Sequence, residues 1–160
     1  MSAPYAVPKH EVLVEVALAG GPPMKLKLFL NECAQTHPGF ERPSDLLNGS
    51  MCFLPAMDEH GDLVMLNRDS LTVVSVSAEH EFGIDTPRPE ELAADDATRA
   101  LVAVTLIDGS TIRGLLTYLL PESHRRLQDF LNQEDRFLTL HEGSSAKLVN
   151  KLRIARVEPI

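Results

Sequence analysis

Six histidines are the first candidates for chemistry, and four of them stand beside a glutamate: His10-Glu11, Glu59-His60, His80-Glu81 and His141-Glu142. An imidazole next to a carboxylate suits zinc ligation or general-base work. None of the four pairs extends to the H-E-x-x-H spacing that sets two imidazoles on one helix face. In a strand, neighbouring side chains point to opposite faces, so such a pair cannot chelate as a unit. All six are expected at the surface. Cys33 and Cys52 have no C-x-x-C partner, which leaves neither a zinc knuckle nor a dithiol motif and predicts reduced, partly buried thiols. No nucleophile elbow, P-loop or Rossmann glycine pattern occurs. The sequence assigns no catalytic residue, no metal ligand and no cofactor, and the chain is expected not to be an enzyme.

Two patterns remain. Lys147, Lys151, Arg153 and Arg156 make a basic cluster, with Arg125 and Arg126 as possible additions, and cations of this kind can hold phosphates. The second pattern is Arg42-Pro43-Ser44-Asp45-Leu46-Leu47-Asn48, which returns 84 positions later as Arg126-Leu127-Gln128-Asp129-Phe130-Leu131-Asn132. Arg42, Asp45 and Asn48 thus match Arg126, Asp129 and Asn132. One reading is an Arg–Asp pair at i, i+3 on a helical turn whose leucines plug the end of a barrel. The other is a recognition surface shown twice. The structural reading is preferred, because duplication itself preserves packing residues.

The repeat extends well beyond that block. Val14, Val16, Leu18 and Gly21 lie over Val102, Val104, Leu106 and Gly109 at a shift of 88, and Leu66-Asn67-Arg68 over Val149-Asn150-Lys151 at a shift of 83. Three blocks in one order argue for two copies of one fold, with repeats too long for a solenoid unit. Expected bounds are 1–78 for the first domain, 79–98 for a proline-containing acidic linker and 99–160 for the second. Glu90–Arg99 is a candidate short helix capping the second domain.

Period-two alternation marks the elements that must carry these residues. Val12 to Leu18 and Met24 to Leu30 form a hairpin in the first half. Val102 to Leu106 and Ile112 to Leu120 form another around Asp108-Gly109, a turn that needs positive φ. Ser44 is expected to cap a helical turn that stops at Asn48-Gly49. Short strands follow at Met51–Ala56 and Phe137–His141. Paired strands are expected at Asp62–Leu66 with Leu71–Val76, and at Ala146–Val149 with Arg153–Val157. Five short strands per half predict an all-β chain of two tandem five-stranded barrels with short helical insertions.

The run Val102-x-Val104-x-Leu106-x-x-Gly109-x-x-x-x-Gly114-x-Leu116 resembles the first motif of Sm and Sm-like proteins. Val149, Ile154 and Val157, and likewise Leu66, Leu71 and Val74, fit the apolar spacing of the second motif. The resemblance implies SH3-like small barrels whose fourth and fifth strands are edges. The chain departs from the family at Leu26, where a bending glycine would stand, and at Asn67-Arg68 and Asn150-Lys151, where Arg-Gly is typical. Asp129-Phe130-Leu131-Asn132 mimics the family's Asp-x-x-Met-Asn but stands well past Leu116, so RNA-contacting roles are not carried over.

Composition sets the remaining bounds. No apolar run approaches the roughly 20 residues of a membrane span, and Met1-Ser2-Ala3-Pro4-Tyr5 lacks signal-peptide character, so a cytoplasmic location and no membrane partner are expected. Residues 1–85 carry 5 Lys/Arg and 12 Asp/Glu, a net −7 of the overall −8, whereas residues from Arg99 onward carry 9 and 7. An acidic first half and a weakly basic second half suit head-to-tail contact between chains and disfavour a polyanion. The leading expectation is a non-enzymatic protein-interaction or assembly module whose partners are itself, as a homo-oligomer such as a three-chain, six-barrel ring, and an unidentified protein. The alternative is nucleic-acid (RNA) binding through Lys147, Lys151, Arg153 and Arg156 of the second half.

Overall fold

A computed structural model describes residues 9–19, 21–83, 98–118 and 126–160. The chain is mostly β. In the first half, β1 (Lys9–Leu18), β2 (Met24–Asn31), α1 (Pro43–Leu47), β3 (Phe53–Met57), β4 (Leu63–Asn67), a 3-10 turn (Arg68–Ser70) and β5 (Leu71–Ser77) follow one another. After α2 (Ala78–Phe82) the second half runs β6 (Thr98–Leu106), β7 (Thr111–Tyr118), α3 (Leu127–Leu131), β8 (Phe137–Glu142), β9 (Ser145–Asn150), a 3-10 turn (Lys151–Arg153) and β10 (Ile154–Pro159). Val14 and Val102 thus fall in β1 and β6, Asp45 and Asp129 in α1 and α3, and Leu71 and Ile154 open β5 and β10.

Local chemistry accounts for the elements. Val12, Val14 and Val16 bury one face of β1, and Leu26, Leu28 and Leu30 bury the matching face of β2. Gly109 supplies the positive φ of the β6–β7 turn, at +91°. In both halves an asparagine caps the 3-10 turn: Asn67 Oδ1 accepts from the Asp69 N–H at 3.1 Å, and Asn150 Oδ1 from the Leu152 N–H at 3.0 Å. At α1 the first residue outside the helix is Arg42, not Ser44, and Pro43 occupies its first turn, where a missing N–H costs nothing. Helix α2 lies in the stretch expected as linker. The expected helix at Glu90–Arg99 falls mainly outside the described residues, and Thr98 and Arg99 belong to β6.

The ten strands form one antiparallel sheet in the order β10-β6-β7-β8-β9-β5-β1-β2-β3-β4. This corrects the expectation of two separate closed barrels. No ladder among the described residues joins β4 to β5, or β9 to β10, although each pair was expected. The 3-10 turns carry the chain out of line, and β5 pairs with β9 across the halves instead, from Val73↔Val149 to Ser77↔Ser145. Two apolar clusters lie beneath the sheet, one mainly under β1–β5 and one mainly under β6–β10. The sheet ends on β4 and β10.

Even irregularities recur. The β1–β5 ladder breaks register between Ala17 and Leu18, and the β10–β6 ladder between Ile154 and Arg156. Leu18 faces Leu71 and Leu106 faces Ile154 at the same point of each half.

Candidate functional site

Among the described residues, the junction between the halves combines buried apolar pairing with a set of polar bonds that cross it. Backbone pairing of β5 with β9 is its centre, and Val74 and Leu148, directly opposite each other, are both fully buried. Asn150, only 2 % exposed, donates through Nδ2 to the Leu71 carbonyl at 2.8 Å and to that of Asp69 at 3.3 Å. The Arg153 guanidinium donates to the same Asp69 carbonyl at 3.1 Å. From the other side, the Phe137 N–H donates to Asn48 Oδ1 at 2.8 Å. Each of these bonds crosses from one half to the other, and buried polar groups of this kind are costly to leave unpaired.

Asn48 belongs to the repeated block, and its partner gives that block a role the sequence did not reveal. The other polar side chains of the block bond within their own half. Asp45 accepts from the Arg42 N–H at 2.8 Å and pairs with His37 Nε2 at 2.5 Å. That hydrogen bond holds the His37 imidazole above its ordinary pKa. In the second half Arg126 makes a forked contact with Asp129, Nε to Oδ2 at 3.0 Å and a terminal nitrogen to Oδ1 at 3.2 Å. Asn132, the counterpart of Asn48, lies exposed, its Nδ2 bonded to the Gln128 carbonyl at 2.8 Å.

Beneath α1 sits Glu81 of α2, 5 % exposed, accepting from the Ser44 N–H at 3.1 Å and from the Ser44 hydroxyl. Burial pushes its carboxyl above the ordinary glutamate range, and the two bonds from Ser44 partly offset this. Sequence reasoning missed this pairing. The only signal was a glutamate in a helical turn following a strand, which many surface residues share.

The four basic candidates are not brought together on one surface. Lys147 Nζ donates to Ser75 Oγ at 3.0 Å within the junction. Lys147 and Arg153 line a cleft of about 580 Å³ on one side of it, beside Glu15 and Asp108. Lys151 lines a separate cleft, and its ammonium donates to the Gln133 carbonyl at 3.1 Å. Burial pulls its pKa below the ordinary lysine value. Arg68, one repeat earlier, binds the Gly49 carbonyl in the same way. Lys151 therefore does in the second half what Arg68 does in the first: it ties down the carbonyl that follows the helical turn. Arg156 pairs with Glu158 at 3.0 Å on the outermost strand. Arg125 lies outside the described residues.

Other sequence candidates resolve simply. Cys33 and Cys52 are free and exposed rather than partly buried. His141 is buried, 6 % exposed in β8, and packs 5.1 Å from the Phe82 ring, a correction to its expected surface position. Among the described residues no three His, Cys, Asp or Glu side chains gather as a metal site, and no helix is long and apolar enough to cross a membrane.

The open end at β4 is the second feature of interest. Phe53, Leu63 and Met65 on β3 and β4 are 59 %, 64 % and 59 % exposed. Their counterparts in the second half are Phe137, Ala146 and Leu148, and all three are buried against the first half. Strand β4 also carries no charge, so nothing on it repels an incoming strand. The chain matches no family model, no curated protein and no solved structure.

Proposed function

We propose that this protein is a non-enzymatic assembly module, built as two Sm-like units in tandem, that takes a partner by strand addition at the open end of its sheet. The observation that carries this reading is the exposed apolar β3–β4 end. The same positions of the repeat are covered in the second half and bare in the first. Unpaired N–H and C=O groups along β4 supply directional bonding, and Phe53, Leu63 and Met65 supply apolar area. In the two clefts beside the junction the cations are already engaged, Lys147 with Ser75, Arg153 with the Asp69 carbonyl and Lys151 with the Gln133 carbonyl.

Size analysis of gently prepared extract tests this reading. The chain should travel in a species heavier than its 17.6 kDa mass, and Met65→Lys should return it to monomer size by placing a charge on the edge. A wild-type chain that elutes as a monomer from extract overturns the reading.

A further inference from the structure

The internal junction shows what fits the open end, because the repeat supplies both of its sides a second time. We propose that the partner at β4 is β10 of a second copy of this chain, held in the register of the internal β5–β9 ladder, with Asn132 of α3 as the latch on Phe53. The proposal rests on the assembly reading above and gives it a partner and a geometry.

Carrying the internal register over by the repeat shifts places Arg156 opposite Leu66, Val157 opposite Met65 and Glu158 opposite Val64, as Val73, Val74 and Ser75 stand opposite Val149, Leu148 and Lys147 within the chain. The polar contacts carry over as well. Asn48 Oδ1 accepts the Phe137 N–H inside the chain; Asn132 Oδ1 of one chain then meets the Phe53 N–H of the next. Asn150 Nδ2 reaches the Leu71 and Asp69 carbonyls; Asn67 Nδ2 then reaches those of Ile154 and Leu152 in the second chain. Both receiving asparagines are in place. Asn67 already uses its oxygen on the Asp69 N–H, as Asn150 uses its own on Leu152, which leaves the amide nitrogen for the partner. Asn132 already spends its nitrogen on Gln128 and presents its oxygen. Leu152, 64 % exposed, is carried to the partner's 3-10 turn, where its counterpart Asp69 stands at the rim of the internal junction.

The charge split points the same way, since the contact joins the acidic first half of one chain to the weakly basic second half of another. The contact is head to tail: it uses a different surface on each chain, so it propagates or closes into a ring. It is also weaker than its template. Pro159 stands where Val76 does in the repeat and has no N–H for a ladder, and Arg156 and Glu158 stand where the junction has Val73 and Ser75. The internal junction is permanent by tethering; the one between chains depends on concentration.

The test uses the full chain with Cys33→Ser and Cys52→Ser as background. One preparation carries Met65→Cys and another Val157→Cys. Directly opposed residues of antiparallel strands fall within disulfide reach, so mixing under mild oxidation should give the Met65–Val157 crosslink as the main dimer. Light scattering at tens of micromolar should show a mass above 17.6 kDa for the uncrosslinked protein. Asn132→Ala should weaken association roughly three- to tenfold, the loss of one hydrogen bond, and speed exchange of the Phe53 amide, while thermal unfolding of the monomer stays put. A Met65–Met65 crosslink alone would mean a two-fold β4–β4 dimer and overturns the proposal while sparing the assembly reading. A monomer in the purified state, with a heavier species in extract, likewise replaces the second copy with another protein. Unchanged association in Asn132→Ala removes the latch.

Discussion

Helix α1 and helix α3 lie in the two occurrences of the Arg-x-x-Asp-x-Leu-Asn pattern, in different surroundings. Leu46 and Leu47 of α1 are 6 % and 0 % exposed, whereas none of the residues of α3 is fully buried. In α3, Phe130 stacks on Tyr118 with ring centroids 4.5 Å apart, and Leu131 only leans on the second core. The difference arises from the neighbours. Helix α1 packs against α2 and against β8 across the junction; α3 stands at the far end with no second half described beyond it. Burial in this protein is set by position along the sheet as much as by the residue type that repetition preserves.

The sharpest way to break that comparison is at the repeated phenylalanines. Phe137→Ala should destabilise the chain by about 3–5 kcal/mol, as expected for a buried aromatic. Phe53→Ala should stay within about 0.5 kcal/mol in the monomer. Denaturant midpoints measure both, and equal costs would mean that Phe53 is covered in solution. The leucines of the helical turns give the next contrast. Leu47→Ala should cost about 2–5 kcal/mol, Leu131→Ala clearly less, and Arg126→Ala least, about 0–1 kcal/mol for an exposed ion pair. If Leu131→Ala matches Leu47→Ala, α3 is as well packed as α1.

A smaller effect is expected where the halves differ in one residue. Gly114 in β7 corresponds to Leu26 in β2, and a Cβ at Gly114 would lie 2.9 Å from Leu140 Cβ and 3.2 Å from the His141 carbonyl oxygen. Gly114→Ala should therefore cost about 1–3 kcal/mol through overpacking, although the first half holds a buried leucine at the same point. A neutral result would show that β7 and β8 separate as easily as β2 and β3.

The last contrast concerns Glu81, which supports α1 and has no counterpart described under α3. Its pKa is raised by burial, so the folded state binds the proton more tightly than the unfolded one. Stability is fullest below the unfolded pKa and falls as pH rises through the folded value. Glu81→Gln keeps an oxygen for Ser44 and removes the charge; it should flatten that fall and raise the melting temperature at neutral pH. An unchanged pH profile would mean that the carboxylate is solvated.

The hairpins were legible because each depends on residues close in sequence: alternating valines and leucines and, between β6 and β7, a glycine whose φ the turn requires. The junction was not. Val73 and Val149 are partners across 76 residues, and nothing in the composition of β5 distinguishes pairing with β9 from pairing with the adjacent β4. The repeated asparagine was visible as a repeat, but its partner is a backbone N–H, which every residue but proline carries. The basic cluster misled for a related reason. Lys147, Lys151, Arg153 and Arg156 are close in sequence, yet a strand, a 3-10 turn and another strand send them to different places.

The apolar interiors of the two halves also exchange side chains. Val73 of β5 packs into the cluster of the second half, and Phe137, Ala146 and Leu148 pack into that of the first. Neither half can lose its own packing without opening a void in the other. The chain should therefore melt in a single cooperative transition, with calorimetric and van't Hoff enthalpies equal. A protease that cuts between the halves should leave two fragments that remain together, because each carries part of the other's interior.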